Sequence, residues 1–178
     1  SAKRGRVMKI TVITVCRNAS RTLPETLQSV ALQTHPNIEH LIIDGNSEDN
    51  TASIVSAVES KIIRFYSEKD KGLYYAMNRG IALSTGDIIG FLNADDVYVD
   101  KNVLADISES MTMNGAEVLY GDVLYTDSYN LNKVTRRWVT HQYRSNAFKA
   151  GWHPAHPTFY VRKNVYQEII NICLILFL

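Results

Sequence analysis

Cysteine is scarce in this chain of 178 residues, with only Cys16 and Cys173 present. Two cysteines so far apart cannot build a disulfide framework or a four-cysteine zinc site, and they are typical of reduced thiols in the cytoplasm. An excess of one charge is also missing, because 19 Lys and Arg face 18 Asp and Glu. That balance excludes a protein that coats nucleic acid, for which a clear basic excess is expected.

No run of about 20 apolar residues, the length that crosses a bilayer, occurs in the chain. The strongest apolar stretch is IINICLILFL at 169–178, which predicts a truncated buried strand or helix, or a weak membrane-surface contact. The first six residues are polar and basic and lack the apolar core of a signal peptide. We therefore interpret residues 1–8 as a leader or tag, 9–168 as one domain and 169–178 as an atypical apolar tail.

Strand and helix patterns alternate through the first half of the chain. Apolar, β-branched runs predict strands over Lys9–Cys16, Ile38–Ile43, Ile62–Tyr66 and Asp87–Leu92. Helices are predicted between them, with caps at Thr22 and Ser47 and a third helix over Leu73–Leu83. After Gly115, strand patterns at Glu117–Tyr125 and Val134–Val139 lack an intervening helix. The prediction is an α/β fold: a mainly parallel sheet with helices on both faces and an antiparallel C-terminal extension.

Each predicted parallel strand ends in polar residues. The residues that follow the four strands are Arg17-Asn18, Asp44-Gly45-Asn46-Ser47, Glu68-Lys69-Asp70-Lys71-Gly72 and Asn93-Ala94-Asp95-Asp96. Any one of them fits an ordinary turn. Because ligands of open parallel sheets bind beyond the carboxyl ends of the strands, four such exits predict a site there.

The two common phosphate-binding motifs are absent, since neither GxGxxG after the first strand nor GxxxxGK[ST] occurs. A pair of carboxylates on a divalent cation is another way to hold phosphates, and Asp95 and Asp96 at a strand end suit Mg²⁺ or Mn²⁺. The alternative is that Asp96 or Asp100 caps a helix.

Acidic and basic residues are separated in the second half of the chain. Residues 87–127 hold nine acids and one base, whereas 128–163 hold seven bases and no acid. A site for a metal-bound phosphate needs both kinds of segment, but two solvated faces also explain the pattern.

Several segments together resemble family 2 glycosyltransferases of the GT-A fold, especially bacterial surface-polysaccharide enzymes. The resemblance runs from Ile10 to about Tyr166. It rests on the order of TVITVCRNAS with LPETLQSVALQT, HLIIDGNSEDNT, SEKDKGLYYAMNRGIALSTGDIIGFLNADD, YGDV and HPAHPTFYVRKNVY.

The resemblance implies roles in binding the donor or its metal for nine residues. Thr14, Asn18 and Asp44 match positions at the nucleoside, with Asp44 on the uracil or ribose. Asp70, Lys71 and Asn78 match the nucleotide-diphosphate pocket. Asp95 matches the first metal ligand, and Asp96 a second ligand or a sugar contact. Asn93 stands where relatives often carry Asp, in the outer shell of the site.

The acceptor side is also implied by the resemblance. His153 and His156 match a segment near the acceptor and the diphosphate, and Asp122 follows a strand towards the acceptor pocket. Tyr75 departs from the pattern, because relatives commonly carry Asp there, so a donor-pocket contact is altered.

The implied activity is inverting transfer of a sugar from a nucleotide-diphosphate donor, with UDP favoured. The acceptor is a saccharide or lipid-linked saccharide, the cofactor is Mn²⁺ or Mg²⁺, and the location is cytoplasmic or peripheral at the inner face of the membrane. No nucleic-acid partner is expected. The alternatives are a sugar-nucleotide-binding domain with weak catalysis and, less well supported by the ordered motifs, a nucleotidyltransferase or phosphatase using the same acidic pair.

The acidic motif that supplies the general base in relatives is not found before the apolar tail. Asp122, His153 and His156 are the remaining candidates for that base. From this difference we expect an incomplete domain with little turnover that self-associates through residues 169–178.

Overall fold

The computed structural model describes residues 6–69, 72–127, 130–147, 149 and 151–168. Asp70, Lys71 and the tail 169–178 lie outside these residues, so the predictions made for them concern parts of the chain that are not described.

All four predicted parallel strands are present. They are β1 (Ile10–Cys16), β2 (Ile38–Asp44), β3 (Ile63–Ser67) and β4 (Ile88–Phe91). They pair in the order β3-β2-β1-β4, and all three pairings are parallel. Both faces of β1 are buried, which explains why its sequence is almost continuously apolar.

Helices cover both faces of this sheet, as predicted. They are α1 (Leu23–Ala31), α2 (Thr51–Ala57), α3 (Leu73–Leu83), α4 (Val103–Met113) and α5 (Lys163–Glu168). Side chains of α1, α2 and α4 pack with one face of the sheet, and those of α3 and α5 pack with the other. Within the described residues, no helix is both long and apolar enough to span a membrane.

The antiparallel extension is confirmed, but its elements differ from the prediction. It contains β5 (Val118–Leu119), β6 (Val123–Asp127), β7 (Asn130–Trp138) and β8 (Tyr160–Arg162). The sheet continues from β4 through antiparallel β8 to β5, whereas β6 and β7 form a separate hairpin. The single strand predicted over Glu117–Tyr125 is wrong, because the chain leaves the main sheet at Tyr120–Asp122.

Two predicted helix starts also need correction. Thr22 is the N-cap residue of α1, but its side chain forms no capping hydrogen bond. Ser47 does not cap α2, whose N-cap is Asn50. The predicted elements omit α4, although Leu104, Ile107 and Met111 recur at helical spacing and are buried.

Gly90 sets the distance between β4 and β8. It pairs with Tyr160, and a Cβ built on Gly90 would lie 2.1 Å from a carbon of the Tyr160 ring. Tyr160 is 2% exposed, and its hydroxyl lies 2.5 Å from that of Tyr98. The ring therefore fills the space that a side chain at position 90 would need.

Gly90→Ala is expected to destabilise the fold by about 2 kcal/mol, because the Tyr160 ring is buried and has no room to move away. Urea unfolding followed by circular dichroism measures the change. Gly121→Ala is the matched control, since its added Cβ would meet only Thr158, at 4.0 Å. An equal loss in the two variants would contradict this account of the β4–β8 contact.

A buried carboxylate ties the amino ends of the strands together. Glu39 is 4% exposed and accepts hydrogen bonds from the Thr11 hydroxyl, from Arg64, and from the Thr85 backbone and hydroxyl. Burial alone would raise the pKa of Glu39, but these hydrogen bonds outweigh burial and lower the pKa to about 2. Glu39 therefore stays charged at neutral pH and stabilises the edge of the sheet opposite the predicted site.

Candidate functional site at the carboxyl edge of the sheet

Asp44 lies at the end of β2 and organises the loop that follows. Its side chain is 1% exposed. One carboxylate oxygen accepts hydrogen bonds from the Ser47 backbone N–H, at 3.0 Å, and from the Ser67 hydroxyl, at 2.6 Å. The other oxygen accepts the Ser47 hydroxyl and lies 3.7 Å from Cys16 Sγ. A ligand reaches this carboxylate only by replacing one of these donors.

Cys16 is a packing residue beside Asp44. Burial first, and then the charge and hydrogen bond of Asp44, raise the pKa of the thiol to about 12. The thiol therefore remains protonated and is a poor nucleophile. Ala94 packs against the same apolar cluster, which brings the exit of β4 close to the exits of β1 and β2.

The loops after β1 and β2 are joined through Asn18. Its backbone N–H donates to Ser47 Oγ at 2.7 Å, and its side-chain oxygen accepts from the Glu48 N–H at 2.9 Å. Asn18 has φ of 52°, a left-handed conformation that asparagine tolerates better than most residues. The next residues continue the connection, because Ser20 N–H donates to Asp49. The two loops therefore form one hydrogen-bonded rim.

Thr14 lies below this rim, inside the sheet. It is fully buried, and its hydroxyl is 2.9 Å from Nε2 of His40. Burial lowers the pKa of His40 to about 3, so the ring is neutral. In this structure the Thr14 side chain joins two strands and does not reach the surface of the site.

The turn after β4 holds the predicted acidic pair. Asp95 is exposed, whereas Asp96 is half-buried and accepts a hydrogen bond of 2.7 Å from the Asn93 amide. The Asp96 backbone carbonyl accepts from the Thr26 hydroxyl of α1 at 2.9 Å. Asn93 therefore orients one carboxylate, and α1 anchors the turn itself.

Strand β8 brings His156 to this turn. Because β8 runs antiparallel to β4 with Tyr160 opposite Gly90, the residues before Tyr160 lie beside the residues after Phe91. His156 begins a 3-10 turn there and is close enough to Asp96 to affect its pKa. Burial, with a contribution from the Asp95 charge, raises the pKa of Asp96, while Asn93 and His156 act in the opposite direction.

This donor set fits a divalent cation. Asp96 is a desolvated carboxylate next to a second carboxylate, and a cation would relieve both the burial and the repulsion. No group of three or more His, Cys, Asp or Glu side chains is arranged to hold a metal among the residues that the structure describes. Two carboxylates suffice for Mg²⁺ or Mn²⁺ when substrate phosphates complete the ligand shell.

Both carboxylate oxygens of Asp122 accept hydrogen bonds from residues in or just after β7. It accepts from Arg137 Nη2 at 2.7 Å and from the Thr140 backbone N–H at 2.9 Å. The Arg137 hydrogen bond, followed by that of Thr140, lowers the pKa of Asp122. A carboxylate with a lowered pKa and occupied oxygens is a weak general base, so the arrangement disfavours that role for Asp122.

His153 belongs to a group of aromatic residues that the sequence analysis did not identify. Its ring meets Trp138 edge-to-face, with centroids 5.7 Å apart, and its Nδ1 is 3.4 Å from the Pro154 carbonyl. Nearby, the Tyr120 and Tyr143 rings lie 5.5 and 5.7 Å from Trp152. Both tryptophans of the chain therefore lie in this segment, outside the apolar core.

Asn78 is half-buried on α3, and Tyr75 is exposed near the start of that helix. Among the predicted donor residues, the structure brings together the loops of Asn18 and Asp44 with the turn that holds Asn93, Asp95 and Asp96. The partners Ser47, Ser67 and Thr26 had no distinctive sequence signal, because isolated Ser and Thr residues fit caps and turns equally well.

The family sequence model described as "Glycosyl transferase family 2" matches residues 11–170. The chain belongs to glycosyl transferase family 2. A PGL/p-HBAD biosynthesis glycosyltransferase of Mycobacterium tuberculosis is 30% identical over 146 residues, covering 74% of this chain and 57% of the relative. An uncharacterized glycosyltransferase of the same species is 36% identical over 107 residues, covering 60% of this chain and 41% of the relative.

Solved structures confirm the GT-A fold of this family 2 chain. TarS 1–349 of S. aureus has a TM-score of 0.70 at 21% identity, covering 90% of this chain and 49% of TarS 1–349. Mannosyltransferase PcManGT from Pyrobaculum calidifontis, in complex with GDP-Man and Mn²⁺, has a TM-score of 0.71 at 19% identity, covering 92% and 47%. The chain thus spans about half the length of the relatives that it matches.

Proposed function

We propose that this chain forms the donor-binding part of an inverting glycosyltransferase that takes a sugar from a nucleotide-diphosphate donor. The observation that carries the proposal is the convergence, at one edge of the sheet, of the Asn18–Asp44 rim with the acidic turn after β4. Family membership supports the reaction class. TarS has been solved with UDP and with UDP-GlcNAc, which supports a uridine nucleotide here.

The rim is proposed to hold the nucleoside. Its loops present backbone groups and the Asp44 carboxylate beside the ends of β1 and β2, where a base and ribose need hydrogen-bond partners. Ser67 donates to Asp44 through a hydroxyl, which rotates easily towards another acceptor. A base N–H or ribose hydroxyl replacing Ser67 would leave the other donors to Asp44 in place.

The acidic turn is proposed to bind the diphosphate through a divalent cation held by Asp95, with Asp96 as the second carboxylate. A bound cation would stabilise negative charge on the diphosphate as it leaves. The residues of the chain perform the positioning: Asn93 orients Asp96, and Thr26 fixes the backbone of the turn. The PcManGT complex with Mn²⁺ supports this proposal.

The acceptor is proposed to approach from the side of His156 and the aromatic residues. Its hydroxyl oxygen bonds to the anomeric carbon as the bond from that carbon to the diphosphate breaks, which inverts the configuration. The hydroxyl proton passes to a base, and the nucleoside diphosphate departs. Exposed aromatic rings next to polar groups suit a saccharide or a lipid-linked saccharide, because sugars present both C–H faces and hydroxyls.

A second candidate is a sugar-nucleotide-binding domain with little turnover. This candidate is favoured by the hydrogen bonds of Asp122, which is the one carboxylate predicted as the general base. Because its oxygens already accept hydrogen bonds from Arg137 and Thr140, Asp122 is poorly placed to accept a proton. In this candidate, donor binding is retained and transfer is very slow.

Calorimetric titration with UDP and with GDP, each with and without Mn²⁺, tests the donor proposal. We expect UDP to bind more tightly than GDP and Mn²⁺ to strengthen UDP binding. Transfer of radiolabelled sugar from UDP-sugars to a panel of saccharide acceptors then separates the two candidates. Absence of any Mn²⁺-dependent nucleotide binding would contradict the donor site, and binding without transfer would favour the second candidate.

A further inference from the structure

The β6–β7 hairpin forms a sheet of its own, separate from the main sheet, with exposed residues on both of its faces. Every residue of β7 except Trp138 is exposed, and the register places Leu124 opposite Arg137 and Tyr125 opposite Arg136. Apolar side chains that are 40–51% exposed lie along this segment: Leu124, Tyr125, Leu131, Val134, Val139 and Tyr143. Two strands alone are marginally stable in water, so this amphipathic surface favours an additional partner.

The same segment carries a clear positive charge although the whole chain is nearly neutral. Residues 122–149 contain five Lys and Arg but only two acids. Both acids are paired, Asp122 with Arg137 and Asp127 with Lys133. The remaining charged residues Arg136, Arg144 and Lys149 are all exposed and give the segment its net charge, and Arg136 lies over the Tyr125 ring at 5.4 Å.

The positive charge of the segment and the exposure of both hairpin faces favour an anionic bilayer over a second copy of the chain or another folded protein. A second copy of this chain pairing along the hairpin edges would bring two positively charged segments together, which is unfavourable. A folded protein surface would cover one face of the ribbon and leave the other exposed. The headgroup layer of an anionic bilayer surrounds a shallowly inserted hairpin on both faces and supplies the opposite charge.

We propose that the β6–β7 hairpin and the loop to Lys149 form a membrane-contact surface that binds anionic lipid headgroups. The arginines and lysines attract the charged layer, and Leu131 and Val134 enter its apolar boundary. The hairpin starts beside the site, because the Gly121 carbonyl accepts hydrogen bonds from Thr140 and from Thr158 of the His156 turn. Membrane contact therefore places the acceptor side of the site against the bilayer, but the lipid binding itself does not depend on the proposed transfer reaction.

Co-sedimentation with vesicles tests the proposal. The 178-residue chain is expected to bind phosphatidylcholine vesicles containing about one third phosphatidylglycerol, and to bind pure phosphatidylcholine at least about tenfold more weakly. High salt is expected to release the chain, because the attraction is screened. Arg144→Glu with Lys149→Glu, two exposed loop residues outside the strand pairing, is expected to weaken anionic-vesicle binding by about tenfold or more.

The matched control is Lys61→Glu with Lys101→Glu, which makes the same change of charge at exposed positions before β3 and α4. Leu131→Ser with Val134→Ser is expected to weaken vesicle binding at unchanged charge. UDP titration of every variant reports separately on the donor site and on folding. The proposal is overturned by equal binding to neutral vesicles or by equal losses in the Arg144→Glu/Lys149→Glu variant and the Lys61→Glu/Lys101→Glu control. It is also overturned by a concentration-dependent dimer that Arg144→Glu with Lys149→Glu abolishes.

Discussion

Asp95→Ala is expected to remove the Mn²⁺-dependent part of UDP affinity and to lower any transfer rate by at least about a hundredfold. A cation at a leaving diphosphate contributes several kcal/mol to transition-state stabilisation, and each 1.36 kcal/mol corresponds to about tenfold in rate. Asp95 is exposed, whereas Asp96 is half-buried and bonded to Asn93. Asp95→Ala is therefore the variant that tests the cation with the least effect on the turn.

Calorimetry with and without Mn²⁺ measures the binding part, and thermal unfolding verifies that the fold is kept. Asp100→Ala is the matched control: it also removes a carboxylate after β4, but Asp100 accepts the Asn102 backbone N–H at 2.7 Å and lies outside the site. UDP affinity that responds to Mn²⁺ equally in the wild-type chain and in Asp95→Ala would show that Asp95 is not a metal ligand.

The parallel half of the fold was predictable because local sequence specifies it. The strands β1, β2 and β4 are buried and β3, at the end of the sheet, is partly buried, so their β-branched and apolar runs differ clearly from the polar residues that follow them. Since parallel strands place all their carboxyl ends at one edge, the same pattern also predicted where the candidate site lies. The acidic turn and the Asp44 loop were identified in this way.

The antiparallel half was not predictable in the same detail, because its pairing is nonlocal. Val118 of β5 pairs with Val161 of β8, and no local sequence pattern indicates this pairing. The strand predicted over Glu117–Tyr125 covers β5 and the start of β6, yet these two strands belong to different sheets. The approach of His156 to Asp96 depends on this pairing, so sequence could suggest both residues but not their proximity.

Residues that orient the site were missed for a related reason. Ser47 follows Asp44 closely enough to be interpreted as a helix cap, but its hydroxyl and N–H bind the Asp44 carboxylate. Ser67 lies at the end of β3 and reaches Asp44 only because β2 and β3 pair in register there. Serine is common in turns, so neither residue type indicates such a role by itself.

Asp44→Ala is expected to weaken uridine and UDP binding by about one to two orders of magnitude, with or without Mn²⁺. A hydrogen bond to a charged group contributes about 1.5–3 kcal/mol, and about 1.4 kcal/mol corresponds to a tenfold change in affinity. The loss does not depend on metal because the proposed contact is to the nucleoside. Stability should also fall, by about 2 kcal/mol, since the Ser47 and Ser67 donors lose their buried acceptor.

Asp49→Ala separates contact with the nucleoside from loop positioning. Asp49 also joins the rim, by accepting the Ser20 N–H at 3.0 Å, but it belongs to the outer part of the loop and follows no strand. Direct contact predicts a much larger loss of uridine affinity in Asp44→Ala than in Asp49→Ala, measured by calorimetry at a temperature where both variants are folded. Equal losses would mean that Asp44 acts by ordering the rim. A loss confined to the Mn²⁺-dependent part of UDP binding would mean that Asp44 contacts the diphosphate and not the nucleoside.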